Sequence, residues 1–250
     1  MGRYTGFVAF ALLVVAAAVY GLLPQDDGLV SPGVSIPADT ARSTPAPDTR
    51  PIPTVQSVPQ GEGFDFYVLS LSWSPTFCGS DAGRDNRAQC GTGKRFGWVV
   101  HGLWPQNERG YPQDCDSPEG SRVPDTIARG IIDIMPSMGL IGHQWRKHGA
   151  CSGLSMADYF ALVRQAHNKI RIPPQVSSVR QPLQTSPTAL EQAFIRSNPG
   201  LSRSAVAVTC DSQRLEEVRI CLDTSLAFRA CPEVDQRSCK RSDLTIPPQP

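Results

Sequence analysis

The stretch "FDFYVLSLSW", Phe64 to Trp73, decides the fold class of this 250-residue chain. It alternates along its length and is rich in aromatic residues, which predicts a β-strand. A second stretch of the same kind runs from Phe96 to Trp104 and ends before Pro105. Towards the C-terminus, "AVAVTC", "LEEVRICL" and "LAFRAC" predict a meander of further strands.

The chain between these strands is typical of helices. Val123 to Asp133 predicts one helix, and Ser155 caps a second over "MADYFALVRQAHNK", with Asp158 completing a weak capping box. Ser186 opens a third over "TALEQAFIR". Strands first, helices in the middle and strands last predict an α+β fold in which helices pack against an antiparallel β-sheet.

Residues 1–23 are predicted to lie outside this fold. Their last 18 residues form an uncharged apolar run, which is typical of a signal peptide or a short membrane anchor. Small residues at Ala16 and Ala18 offer a cleavage site, whereas an uncleaved segment would anchor the protein through residues 4–23. In both cases we expect the rest of the chain to cross a membrane and to be secreted or periplasmic.

Composition divides the remainder of the chain. Residues 24–60 are rich in Pro, Ser, Thr and Asp and cannot bury enough apolar surface to offset their ordering entropy, so we expect a disordered, extended linker. Residues 61–243 form one predicted compact domain, which we expect to be monomeric, and residues 244–250 form a Pro-rich tail. The net charge is only +1, so anion recognition must come from a local cluster.

The compact domain contains an even number of cysteines, which in an exported chain indicates disulfides. Zinc binding is the competing interpretation, but no two cysteines stand in a C-x-x-C spacing. Four bridges allow many connectivities, and the spacing leaves them open. The cysteines are Cys78, Cys90, Cys115, Cys151, Cys210, Cys221, Cys231 and Cys239.

The stretch "GHQWRKHGAC", Gly142 to Cys151, holds two of the four histidines in the chain. On a helix over residues 139–148, one face would carry four polar residues, namely His143, Gln144, Lys147 and His148. Trp145 falls outside that face and suits packing, and Arg146 falls outside it and suits solvent. This clustering indicates a site and not a core helix.

A third histidine, His101, stands in "HGLWP". One histidine can take a proton while another gives one, and a lysine stabilises a developing negative charge. A base, an acid and a cation facing a phosphodiester make a phosphoryl-transfer site that needs neither metal nor cofactor. Because RNA carries its own nucleophile, the 2′-hydroxyl, we expect cleavage of single-stranded RNA through a 2′,3′-cyclic phosphate, and no action on DNA.

Three blocks carry a family resemblance. "SWSPTFC", "HGLWP" and "HQWRKHGAC" resemble the signature blocks of the T-two family of secreted acid ribonucleases, and the resemblance covers most of Phe64 to Cys239. It implies an α+β fold, secretion and metal-free endonucleolytic cleavage of RNA with low base specificity. It also implies four disulfides, which would be Cys78–Cys90, Cys115–Cys151, Cys210–Cys239 and Cys221–Cys231.

The resemblance extends to single residues. It implies general acid catalysis by His101, general base catalysis by His148, phosphate binding by His143 and Lys147, and stacking on a base by Trp104, with Tyr111 as a further candidate. Gln144 departs from the family block, which usually has a glutamate, and Gln106 stands where some members have an aspartate in the base pocket. A glutamine can bond a phosphoryl oxygen but carries no negative charge, so we expect activity with a shifted acidic limb of the pH profile.

Two other functions stay open at this point. A metal-dependent hydrolase would need carboxylates or free cysteines beside the histidines, and the block offers neither. A catalytically weakened RNA-binding member of the same fold is the other alternative, with Gln144 as the sign of decay. The presence of His101, Lys147 and His148 together speaks against it. The fourth histidine, His167, has no partner motif and is interpreted as structural.

Overall fold

The computed structural model describes residues 59–250. The predicted signal or anchor over residues 1–23 and nearly all of the predicted linker over 24–60 lie outside the described residues. The strands are β1 Phe66–Trp73, β2 Trp98–Gln106, β3 Leu183–Thr185, β4 Val206–Cys210, β5 Leu215–Leu222 and β6 Leu244–Ile246. The α-helices are α1 Ser74–Cys78, α2 Asp81–Arg84, α3 Arg87–Cys90, α4 Asp125–Arg129, α5 Met138–Lys147, α6 Met156–Lys169, α7 Pro174–Ser177, α8 Pro187–Ser197 and α9 Pro232–Gln236. Short 3-10 helices cover Gly149–Ser152 and Arg203–Ala205.

The strands form one main antiparallel sheet. Its order is β2-β1-β5-β4, and β3 pairs with β6 in a separate two-stranded sheet. The α+β fold predicted from the order of the elements is therefore confirmed. No helix within residues 59–250 is long and apolar enough to cross a membrane.

Strand β1 is buried on both of its faces. Tyr67, Leu69 and Leu71 face the main core, which is filled by α5, α6 and α8. Phe66 and Val68 belong to a second, smaller cluster on the other face, together with Ala207 of β4 and Val234 of α9. The second face is the one on which the functional side chains gather.

A β-bulge places His101 on that face. Ser70 pairs with Gly102 and Leu71 pairs with Val100, so His101 is an extra residue in β2 without a partner on β1. Side chains along a regular strand alternate between faces, which would separate residue 101 from residue 104. The extra residue shifts the alternation, and His101 and Trp104 come to share a face.

Two predicted helix starts are confirmed by their caps. The Ser155 hydroxyl accepts the Asp158 N–H at 3.1 Å, which makes Ser155 the N-cap of α6 as predicted. The reciprocal half of the predicted capping box is replaced, since the Asp158 carboxylate accepts the Ser155 hydroxyl at 2.7 Å and not the Ser155 backbone N–H. The Ser186 hydroxyl accepts the Ala189 N–H at 3.1 Å at the start of α8. The helix predicted over residues 123–133 is shorter, since α4 covers only five residues and turns follow it.

The strand predicted over "LAFRAC" is wrong. This segment forms only an isolated bridge between Leu222 and Phe228. The chain reverses at Asp223 because its carboxylate accepts the backbone N–H groups of Ser225 and Ala227, both at 2.8 Å. A turn stabilised by a side-chain carboxylate competes with continuation of the sheet.

Four disulfides staple the domain, and they have the pairing that the family resemblance implied. They are Cys78–Cys90, Cys115–Cys151, Cys210–Cys239 and Cys221–Cys231. Cys115–Cys151 ties the loop after β2 to the chain just beyond α5. Cys221–Cys231 ties β5 to the start of α9.

The C-terminal residues 244–250 are part of the fold and not a loose tail after residue 243. Leu244 and Ile246 of β6 are fully buried, and the Trp73 indole N–H donates to the carbonyl of Pro247 at 2.9 Å. The proline-rich composition of these residues predicted a tail. Their pairing with β3, some sixty residues earlier in the chain, cannot be seen from the local sequence. The compact domain therefore continues past its predicted end.

We expect Ile246→Ala to destabilise the protein by about 2–5 kcal/mol, because it removes a fully buried side chain and leaves a cavity. Ser242→Ala is the matched control on the exposed residues just before β6 and should change stability by less than about 0.5 kcal/mol. Urea unfolding measures both. Equal free energies of unfolding for the two variants would show that β6 does not contribute to the core.

Candidate active site

Helix α5 carries most of the predicted site residues. The Ser137 hydroxyl caps its start by accepting the Leu140 N–H at 3.4 Å, and the helix ends at Lys147. The helix predicted over residues 139–148 therefore includes one residue too many, because His148 has φ −130° and ψ −49° and leaves the helical path. His148 is thus the residue that ends the helix, and its N–H still donates to the Gln144 carbonyl at 3.0 Å.

Gln144 lies on the inner side of α5. It is 1% exposed, and its Oε1 accepts the indole N–H of Trp104 at 2.9 Å. Its amide nitrogen is buried and has no hydrogen-bond partner among residues 59–250. The structure thus places Gln144 as a support for Trp104 beneath the cleft, whereas Lys147 and His143 of the same helix are exposed.

Gly102 makes this contact possible. A Cβ at position 102 would clash with both Oε1 of Gln144 and Nε1 of Trp104. The motif "HGLWP" therefore needs a glycine for close approach, because the helix side chain crosses directly over the strand backbone. The motif "HGLWP" on β2 and the motif "HQWRKHGAC" on α5 are in direct contact at Gly102.

The Trp104 ring contacts both His101 and His148. Its centroid lies 5.2 Å from that of His101 in an edge-on contact, and 5.4 Å from that of His148 in a stacked contact with an interplanar angle of 30°. The structure thus brings together His101 and His148 from different elements. His143 lies near enough for the charge of His101 to affect it.

The electrostatics distinguish these histidines. Burial, with the charges of His101, His143 and Lys147, lowers the pKa of His148 to about 3. Burial also lowers the pKa of His143, with contributions from the charges of Arg146, His101 and Lys147. His148 is therefore a neutral imidazole over the whole range of mildly acidic and neutral pH, as a proton acceptor must be.

Two residues of β5 complete the site and were missed in the sequence. The Glu217 carboxylate bonds Nδ1 of His101, and its other oxygen accepts from Nε and Nη2 of Arg219 at 2.9 and 2.8 Å. Burial would raise the pKa of Glu217, but the hydrogen bond and charge of His101, with Arg219, lower it to about 2. "LEEVRICL" predicts only a strand. An acidic and a basic residue two positions apart face the same side of a strand, and this signal could have found them.

Two cavities border these side chains. The first has a volume of about 190 Å³, and its polar and aromatic lining residues include Trp104, Tyr111, Lys147, His148, Arg219 and Arg237. Tyr111, predicted only as a further candidate for substrate binding, lines this cavity, with its ring centroid 5.8 Å from Lys147 Nζ. The second cavity has a volume of about 330 Å³ and is bordered by His101 and Glu217. Cations and aromatic rings in one cavity suit a ligand that combines phosphate with a planar base.

Solved structures of ribonucleases have the same fold as this chain. Trichomaglin, described as a novel S-like ribonuclease, has a TM-score of 0.61 with 21% identity over 75% of this chain and 100% of its own. RNase NT, solved in complex with 5′-AMP, has a TM-score of 0.58 with 24% identity over 75% of this chain and 100% of its own. At these identities the likeness shows that the chain has the fold of these ribonucleases.

The family follows from the sequence comparison. The model of the Ribonuclease T2 family matches residues 64–231, and the chain belongs to that family. A ribonuclease of Aeromonas hydrophila is 39% identical over 124 residues, which are 49% of this chain and 54% of that protein. Ribonuclease DdI of Dictyostelium discoideum is 27% identical over 226 residues, which are 82% of this chain and 91% of that protein. The chain thus spans about half the length of the Aeromonas ribonuclease.

We expect Gly102→Ala to destabilise the protein by about 1–3 kcal/mol, because the added methyl group forces Gln144 and Trp104 apart in a packed region. Gly139→Ala in α5 is the control, since its methyl group would meet nothing closer than Ser137 Oγ at 3.6 Å. It should be neutral or stabilise by up to about 1 kcal/mol. Urea unfolding gives both values, and an unaltered stability of Gly102→Ala would contradict the close packing at Gly102.

Proposed function

We propose that this protein is an endoribonuclease that cleaves single-stranded RNA by metal-independent transesterification. The observation that supports this most directly is the arrangement of His101 and His148 against one Trp104 ring, beside a cavity lined by Lys147. Membership of the Ribonuclease T2 family and relatives named ribonucleases support the same activity.

His148 acts as the general base. Its lowered pKa leaves the ring unprotonated, so it accepts the proton of the ribose 2′-hydroxyl. The 2′-oxygen then forms a bond to phosphorus. Lys147, one residue before it, supplies positive charge to the phosphoryl oxygens as negative charge develops, and His143 assists in binding the phosphate.

His101 acts as the general acid. It begins as the imidazolium and gives its proton to the 5′-oxygen as the bond between phosphorus and that oxygen breaks. The products are a 2′,3′-cyclic phosphate and a free 5′-hydroxyl. Water opens the cyclic phosphate with the two histidines in exchanged roles, and both return to their initial protonation states.

The two cavities receive the nucleotides on either side of the scissile phosphate. Trp104 and Tyr111 offer aromatic faces to a base in the first cavity, and every base has a π-face on which to stack. Gln106 borders the same cavity and can both donate and accept hydrogen bonds, which fits low base specificity. The four disulfides support export to an oxidising compartment, either the periplasm or the exterior.

We expect the purified protein to cleave yeast RNA in the presence of EDTA, and to release a transient 2′,3′-cyclic phosphate visible by phosphorus NMR. DNA should stay intact because it lacks the 2′-hydroxyl. His148→Ala should lower the rate by about 10²- to 10⁴-fold, because it removes the general base. His167→Ala, which changes the histidine outside the site, is the matched control and should keep the wild-type rate.

Cleavage abolished by EDTA would favour a metal-dependent hydrolase. Intact RNA with both wild type and His148→Ala, with RNA binding retained, would favour the RNA-binding alternative.

The pH profile gives a separate test. Since the pKa of His148 is lowered to about 3, the acidic limb of kcat/KM should lie well below the range of an ordinary histidine. Gln144→Glu adds a carboxylate beside these rings, which stabilises their protonated forms. A base that holds its proton more firmly is inactivated at a higher pH, so the acidic limb should move upward in this variant.

Gln165→Glu makes the same chemical change on α6, outside the site, and should leave the profile in place. An identical acidic limb for wild type and Gln144→Glu would contradict the role of His148 as the base near position 144.

A further inference from the structure

The Glu217 side chain is a buried carboxylate with both oxygens in use. The residue is 4% exposed, one oxygen bonds Nδ1 of His101, and the other accepts two hydrogen bonds from the Arg219 guanidinium. Burying a carboxylate is costly unless it is paired and hydrogen-bonded. A neutral residue of similar volume at position 217 would avoid this unfavourable free energy of burial. The carboxylate is nevertheless present, and it contacts a histidine of the site.

The position of Glu217 is fixed from both sides. It lies in the middle of β5, where it pairs with Ser72 of β1, and Arg219 pairs with Ser70 on the same strand. The Arg219 guanidinium also lies 5.2 Å from the Trp104 ring centroid. The carboxylate therefore has little freedom, while its partner His101 sits in a bulge with its side chain 39% exposed.

The contact determines which ring nitrogen of His101 is free. With Nδ1 held by Glu217, Nε2 is the nitrogen that remains for a substrate. Several other groups around His101 are cations or become cations on protonation: Arg219 of β5, His143 and Lys147 of α5, and His148. Two further carboxylates border the cavity next to His101, but Glu216 is exposed and Asp211 is paired with Arg214. Glu217, which bonds the ring directly, is thus placed to stabilise an imidazolium that the neighbouring cations oppose.

We infer that Glu217 is the positioning residue of the general acid: it orients the His101 ring, fixes the proton on Nδ1 and stabilises the imidazolium that protonates the leaving 5′-oxygen. This inference rests on the proposed function. Position 144 is a neutral glutamine here, so Glu217 supplies negative charge to the histidine cluster from the opposite side, through β5.

The test compares two substrates that differ in their need for a general acid. One is a dinucleoside monophosphate, whose alkoxide leaving group must be protonated. The other is the matched nucleoside 3′-(4-nitrophenyl phosphate), whose leaving group departs as the stable nitrophenolate. Glu217→Gln should lower kcat on the dinucleotide by about 10- to 100-fold, with KM near the wild-type value, and should cleave the aryl ester almost as fast as wild type.

Three further variants control this comparison. Glu191→Gln makes the same change in a buried carboxylate of α8 that bonds the Val208 N–H, outside the site, and should keep wild-type rates on both substrates. Glu217→Asp retains the charge and should recover part of kcat on the dinucleotide. His148→Ala should lose activity on both substrates, because both need the base.

Equal losses on both substrates, or no loss on either, would overturn the positioning role of Glu217. Failure of wild type on both substrates would instead refute the ribonuclease proposal itself.

A second measurement reads the proton position in the wild-type protein and does not depend on any change at Glu217. Nitrogen NMR of wild type at alkaline pH, with the His101 signals assigned by comparison with His101→Ala, should show the neutral His101 ring protonated at Nδ1. A proton on Nε2 would overturn the inference, because Glu217 could not then accept from Nδ1.

Discussion

The hydrogen bond between the Trp104 indole and the buried Gln144 amide is the contact on which the site depends. It joins the edge strand β2 to helix α5 across the bare backbone of Gly102. The indole held in this way is the surface against which both His101 and His148 rest. A single rigid ring thus fixes the relative position of two side chains that no backbone hydrogen bond connects.

Charge is distributed around this ring in a way that the near-zero net charge conceals. Lys147, Arg219 and Arg237 line the first cavity, where Glu233 pairs with Arg237 and leaves Lys147 and Arg219 as the other two cations. Glu217 is withdrawn behind Arg219. An anionic substrate would therefore meet cations at the surface. The one carboxylate that bonds His101 is kept below them, where burial separates it from the solvent and Arg219 compensates its charge.

The two faces of the main sheet have different roles. One face of β1 packs on the helices and provides the main core, and the other face supports the site and a small cluster closed by α9. The disulfide Cys221–Cys231 connects β5, which supplies Arg219 to the first cavity, to the start of α9, and Arg237 of the same cavity follows directly after this helix. This disulfide therefore stabilises both the fold and the arrangement of the site residues.

The sequence by itself determined the features that local chemistry encodes. These include the alternation of β1, the serine caps of α6 and α8, and the two histidine blocks with their family resemblance. It could not show that β6 pairs with β3, that a bulge turns His101 towards Trp104, or that Glu217 lies behind His101. Each of these depends on strand register between distant segments, and register is decided by side-chain packing across the sheet, which no single segment contains.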